Sequence, residues 1–226
     1  MQPSFPQTSP WVLTVGATFV INNKNNCNKN NCNFTSPLCT KNSIHCVCGH
    51  DEHAVSSYYS NHNLVWTSGS GFSRYTNAST WHTKLVDQYF NNVSYCPKEI
   101  YFNRHNRPYP DIVALGRLCP VFNSTSGNVY YMDGTSCSAP VVAGMISQLN
   151  RYQLSKNKAK LGYVNPLFYH IFQNYPTAFN DITYGNSTCA AKKCCGENFG
   201  FIAKNGWDPV SGLGSLNIDK IKNYLP

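Results

Sequence analysis

Apolar and polar positions switch between two periods along this chain. Trp11 to Val20, "WVLTVGATFV", is a near-continuous apolar run of buried-strand length, with Gly16 at a break. "LVWTSGSGFSRY" is a short apolar run ending in a Gly/Ser turn. Ser79 or Thr80 predicts the cap of a helix whose Trp81, Leu85 and Tyr89 share one face. Tyr109 to Gly116, "YPDIVALG", reads as a short strand entered from a Pro-rich turn, and Asn128 to Asp133, "NVYYMD", as another. A helix follows, with Pro140 in its first turn and Val142, Met145, Ile146 and Leu149 at helical spacing. Pro166 opens a further short helix, "PLFYHIF". Asn217 caps a last one, on which Ile218, Ile221 and Leu225 form a stripe. Strands alternating with helices predict an α/β fold on a parallel sheet flanked by helices. There is no internal repeat.

One segment breaks this pattern. Asn22 to Asn33 holds eight Asn and two Cys, and the chain stays polar and Cys-rich to about His53. This reads as an insertion at about residues 22–53 within a single domain spanning residues 1–226. Cys27, Cys32, Cys39, Cys46 and Cys48, with His50 and His53, lack the paired C-x₂-C spacing of a zinc site. Disulfides are the better reading for them.

Composition supports that choice. Eleven Cys in 226 residues, clustered at 27–48 and 189–195, point to an oxidising compartment. N-x-S/T sequons at Asn33, Asn77, Asn92, Asn123 and Asn186 agree with a glycosylated protein of the secretory pathway. Charged residues are 12% of the chain, about half the usual share, and the net charge of +8 is spread without a Lys/Arg block. That argues against a nucleic-acid partner. No stretch approaches the ~20 apolar residues of a membrane span. "MQPSFPQTSP" has neither the basic start nor the apolar run of a signal peptide, so the natural N-terminus is expected further upstream.

The candidate chemistry lies in "DGTSCSAP", Asp133 to Pro140. Ser136 falls between a strand and a helix N-terminus, where backbone N–H groups and the helix dipole favour developing negative charge. Gly134, Ser138 and Ala139 are small enough for a substrate backbone to approach. The plainer reading of such a serine is a helix cap. The longer string Gly-Thr-Ser-x-Ser-Ala-Pro before an apolar helix resembles the nucleophile segment shared by subtilases and sedolisins, both built on a subtilisin-like fold. Other stretches separate the two. "FPQTSPWVLTVGAT" is similar to the sedolisin "FP-x-SSP-x-VTTVGGT", "SGSGFSRY" to "SGGGFS", and "YPDIVALG" to "YPDVSA". "FNDIT" followed by "NGWDPVSGLGS" resembles the sedolisin calcium segments "DVT" and "GPGWDPVTGLGTP". The chain is thereby similar to the C-terminal half of the sedolisin (serine-carboxyl peptidase) domain, a family whose lysosomal animal member is a tripeptidyl-peptidase.

The resemblance implies a set of roles. Ser136 would attack peptide bonds and form an acyl-enzyme. One structural Ca²⁺ would be held by the carboxylates of Asp181 and Asp208 and the carbonyls of Ile182, Lys204 and Gly206, a hard oxygen set of the kind calcium takes. Lys204 stands where the family usually has Gly, so a positive φ or an ammonium near the cation would count against it. Gly69 and Gly71 would line the substrate cleft; a surface turn is the alternative.

The family's base is a Glu with an Asp four residues on, upstream of the stretch matched here, as is the Asp that stabilises the oxyanion. Neither Glu52, Glu99 nor Glu197 is followed four residues later by Asp, and no His sits in the subtilase "HGT" string. Carboxylate catalysts of this kind imply acid-active chemistry. The N-terminal part of the domain is therefore expected to be missing, and to be supplied in cis by an upstream half. Alone, the chain is expected to be inactive. Its substrates would be peptides or proteins, cut internally or as tripeptides, in the lysosome or outside the cell. Two other classes stay open: a non-catalytic, calcium-stabilised secreted binding protein on the same fold, and an adhesion module resting on the insertion.

Overall fold

The computed structural model describes residues 4–22, 50–56, 66–190, 193–194 and 199–226. In chain order the elements are β1 (Val15–Asn22), β2 (His50–Ala54), β3 (Gly71–Asn77), α1 (Thr80–Asn92), β4 (Asn106–Tyr109), β5 (Ile112–Leu115), β6 (Cys119–Asn123), β7 (Asn128–Met132), α2 (Thr135–Ser155), α3 (Asn165–Asn174), β8 (Phe179–Asn180), β9 (Cys189–Ala190), β10 (Lys193–Cys194), β11 (Ser215–Leu216) and α4 (Ile218–Ile221). One five-stranded sheet has the order β2-β1-β5-β11-β8. β1, β5 and β11 run parallel at its centre, and β2 and β8 close its two edges antiparallel. It is an α/β fold with a parallel centre, as the alternating pattern requires, edged by one antiparallel strand on each side.

β5 is the middle of the core. Ile112, Val113 and Ala114 are buried, and α2 lies across β1 and β5 with Val142 and Leu149 inward. α1 and α3 contact each other, burying Leu85, Val86 and Tyr89 from one and Phe168, Ile171 and Phe172 from the other. A second, smaller apolar cluster joins Ala17, Phe19 and Val55, with Trp66 against it.

Most elements stand where their periodicity puts them, and four details differ. The first strand begins at Val15, and Trp11 is 77% exposed, because Thr14 already turns its backbone toward Asp111. Gly16 is no break. It pairs with Val113 inside the strand, and a Cβ there would meet Pro110, Ser68 and Val113 at 3.0 Å. The polar insertion ends earlier than His53, since His50–Ala54 is strand β2; residues 23–49 lie outside the described residues. Pro140 is the sixth residue of α2, not part of its first turn, because the helix starts at Thr135. Among the described residues no helix is long and apolar enough to cross a membrane.

Candidate active site

The turn into α2 is held from both sides. β6 and β7 form an antiparallel hairpin, and Asp133 Oδ1 accepts from Leu118 N at 2.8 Å, closing its base. Gly134 follows, with φ +153°, a conformation that a side chain rarely allows. Its N–H donates to Gly116 O at 2.8 Å, just past the end of β5. Four residues on, the buried Ser138 Oγ donates to Ala114 O at 2.9 Å. Both bonds need the chain at Gly116 to lie close under the helix. An added Cβ there would meet Ser138 Oγ at 2.6 Å and Ala17 Cβ at 2.7 Å.

Ser136 sits between those two anchors, and its side chain is exposed. Among the described residues its hydroxyl has no hydrogen-bond partner, acidic or otherwise. Pro140 carries no N–H, so the Ser136 carbonyl also lacks the donor an α-helix would supply four residues on. The first turn of α2 thus presents a free hydroxyl on a fixed backbone.

A cleft of about 290 Å³ lies beside this turn, lined by Pro6, Gln7, Val12, Leu13, Thr14, Val15, Gly69, Tyr109, Pro110 and Thr135. Gly69 is therefore a wall residue of the cleft that Thr135, the residue before Ser136, also lines. Ser68 fixes it: its hydroxyl accepts from Ala17 N at 2.9 Å, and its N–H donates to Val55 O at 2.9 Å. Gly71 is buried, pairs with Tyr109 in the β3–β4 ladder and has φ +137°. It shapes the backbone behind the wall and is not itself among the lining residues.

Behind the cleft lies a buried polar hub that sequence reasoning missed. Arg107 is fully buried. Its Nε donates to Ser9 O at 2.9 Å, one Nη to Val12 O at 3.1 Å, the other Nη to Pro108 O, and Nη2 also to Asp111 Oδ2 at 2.6 Å. Asp111, also fully buried, accepts from Thr14 N at 2.7 Å, Thr14 Oγ1 at 2.8 Å and Tyr169 Oη at 3.2 Å. Burial alone would raise its pKa, but the groups around it (His82, the Arg107 charge and the Thr14 N–H) hold the carboxyl below its usual range. His82 is driven the other way, below the ordinary imidazole value, chiefly by burial. Its Nε2 stands 3.8 Å from Asp111 Oδ1, beyond hydrogen-bond reach. No spacing signal marks these residues, because they meet from four distant segments.

At the other end of the chain, the two predicted calcium segments come together. Asp181 Oδ2 accepts from Gly206 N at 2.7 Å. Asp208 Oδ2 accepts from Lys204 N at 2.9 Å, while Oδ1 accepts from Val210 N and Ser211 N, both at 2.8 Å. Asp208 is fully buried, which pushes its carboxyl up to about 7; partial burial raises Asp181 as well. Gly206 has φ +84°, whereas Lys204 has no positive φ. The Lys204 ammonium is drawn away to the carbonyl of Asn92, the last residue of α1. The backbone at Lys204 therefore requires no glycine, and its ammonium is engaged at the end of α1.

The cysteines divide by region. Cys27 to Cys48 lie outside the described residues. Cys194 pairs with Cys189 in the β9–β10 ladder. Among the described residues Cys96, Cys119 and Cys137 stand without a bridge in this structure. Burial and the neighbouring Cys137 sulfur push the Cys119 thiol up.

No family model matches the chain. It is 36% identical over 226 residues to physarolisin of Physarum polycephalum, covering 98% of this chain and 36% of that protein. It is 30% identical over 225 residues to tripeptidyl-peptidase 1 of Rattus norvegicus, covering 99% of this chain and 33% of that protein. The chain thus spans about a third of the length of the curated relatives it matches. Its fold matches a solved Pseudomonas sedolisin, a serine-carboxyl proteinase, with a TM-score of 0.62 and 20% identity, over 97% of this chain and 47% of that one.

Proposed function

Because this chain belongs to the sedolisin family of serine-carboxyl peptidases and matches its C-terminal region, we propose that it carries the nucleophile half of a peptidase active site. Ser136 Oγ attacks the carbonyl carbon of a peptide bond, and the amine leaves to give an acyl-enzyme that water then hydrolyses. The observation that carries this reading is the free, exposed Ser136 hydroxyl on the doubly anchored turn beside the 290 Å³ cleft. The N-terminal turn of α2 supplies unpaired N–H groups and the positive end of the helix dipole near the reacting oxygen. The base, the residue that orients it and the oxyanion acid come from an upstream half of the same domain, as the resemblance implies, and their carboxyl chemistry makes the enzyme acid-active.

The apolar β6–β7 hairpin supports that upstream half. Phe122 is 65% exposed, and Val121, Val129 and Tyr131 beside it are exposed too. Such a patch on an isolated piece is a surface awaiting a partner. The substrates are peptides or proteins, and Gly69 lines the path by which their backbone reaches Ser136. The Cys content and the exposed sequons at Asn77, Asn92 and Asn123 support a glycosylated protein of the secretory pathway, lysosomal or extracellular.

One structural calcium ion belongs to this reading. Asp181 and Asp208, with the carbonyls of Ile182, Lys204 and Gly206, are hard oxygen donors on two adjoining segments. Two carboxyls raised by burial are the chemistry expected where a cation completes the shell. When bound, the ion would cross-link the 181–182 and 204–208 segments.

The test is hydrolysis by the full-length protein at acid pH, compared with Ser136→Ala. The expected result is a loss of about 10³-fold or more. Activity retained in the variant would overturn the nucleophile. A wild type that binds peptides without cutting them would instead establish the calcium-stabilised binding protein.

A further inference from the structure

The hairpin that leads into α2 sets two cysteines at one residue. In the β6–β7 register Cys119 stands directly opposite Met132, the last residue of β7. Directly opposed residues of an antiparallel pair have Cα atoms about 4.5–5.5 Å apart. Cys137 returns to that same residue from the helix side: its sulfur lies 3.9 Å from the Met132 carbonyl oxygen. Cys119 and Cys137 thus both adjoin Met132, and the Cys137 sulfur is among the groups that act on the Cys119 thiol. Both residues are partly exposed, so a small thiol or disulfide reagent reaches them. A packing role alone would not require two thiols to face each other. The clustered cysteines and five sequons of the chain favour a compartment where facing thiols are oxidised.

We propose that Cys119 and Cys137 form a disulfide that fastens the Ser136-bearing turn of α2 to strand β6. The bond arises by thiol–disulfide exchange with a small-molecule disulfide such as oxidised glutathione. One of the two thiols loses its proton to solvent and attacks a sulfur of that disulfide, releasing one glutathione thiolate. The second, also deprotonated, attacks the protein sulfur of the mixed disulfide and releases the other. Two protein thiols are oxidised and one disulfide is reduced to two thiols. The closed ring encloses the whole β6–β7 hairpin. It adds a covalent anchor, immediately after Ser136, to the two hydrogen bonds at Gly134 and Ser138. The bond forms whether or not Ser136 is a nucleophile, so its test is separate from that of the peptidase reading.

The test is a cysteine map of the full-length protein, purified without reductant and alkylated with iodoacetamide before and after denaturation. The expected result is a linked pair of peptides carrying Cys119 and Cys137, which separates on reduction, each then taking one alkyl group. Alkylation of both cysteines without reduction would overturn the proposal, as would a bridge from either one to a different cysteine. A second readout is deuterium uptake over residues 133–140. It should rise on reduction in the wild type, and start at that raised level in Cys119→Ser with no further rise. Equal uptake in the oxidised and reduced wild type would show that no bond holds the turn.

Discussion

Arg107 Nη2 and Asp111 Oδ2 stand 2.6 Å apart with both side chains fully buried. Neither group is there for the other alone. Arg107 also serves the carbonyls of Ser9, Val12 and Pro108, and Asp111 the backbone and hydroxyl of Thr14. The pair thereby fastens the 9–14 segment, which lines the cleft, to the strand that enters the core.

Removing one partner leaves the other charged and dry. Arg107→Met or Asp111→Leu should each destabilise the full-length protein by about 3–5 kcal/mol in denaturant unfolding. The double variant should not recover the loss, since the Ser9 and Val12 carbonyls and the Thr14 N–H would remain unpaired. Recovery to wild-type stability would show that only the ion pair matters.

The same carboxyl sets a limit on the acid side. Its folded pKa lies below the unfolded value, so its contribution is complete above about pH 4. It is lost as pH falls through the folded value. Tm should therefore hold between pH 5 and 4 as far as Asp111 is concerned, and drop below that. A Tm that rose steadily below pH 4 would contradict a depressed Asp111.

Gly116→Ala tests the anchoring of the turn that carries Ser136. Its Cβ would come within 2.6 Å of Ser138 Oγ and 2.7 Å of Ala17 Cβ. The expected cost is about 1–3 kcal/mol of stability, together with a larger fall in kcat than in substrate affinity. Pairing it with Ser138→Ala should restore part of the stability by removing one clash. Wild-type kcat in the single variant would mean the turn is not held by this contact.

Calcium should raise Tm, and chelation should lower it, in the wild type alone. In Asp208→Asn the Tm should be the same with calcium and with chelator, because one of the two carboxylates is gone. A calcium response in Asp181→Asn and Asp208→Asn as large as that of the wild type would move the ion elsewhere.

The sequence carried the elements better than the hub. Apolar spacing is enough to find α1, α3 and α4, and the Ser-to-Pro string is specific enough to mark Ser136. Asp181 and Asp208 were singled out only by the resemblance of "FNDIT" and "NGWDPVSGLGS" to the sedolisin calcium segments. Arg107 was not, because nothing local distinguishes a buried arginine from an exposed one. Beyond its neighbours Pro108 and Asp111, its partners are the carbonyls of Val12 and Ser9, a group every residue has, 95 and 98 positions away. The position of Pro140 was misread for a related reason. A helix start is set by where the preceding strand ends, and that depends on the pairing of β7 with β6, whose partner strand has no strong pattern of its own.

Those separations also bear on how the molecule comes to exist. The Arg107 hub closes loops of 95 and 98 residues, and Tyr169 joins Asp111 across 58 more. Closing such loops is paid in chain entropy before any contact returns it. Long-range contacts of this kind slow folding. On the ribosome Ser9 and Val12 must wait for Arg107, and Asp111 for Tyr169, so the cleft wall is assembled late and all at once. Until Tyr169 has emerged, the core behind the cleft is half-made. A cell making this protein must therefore shelter that unfinished core until residue 169 has left the ribosome.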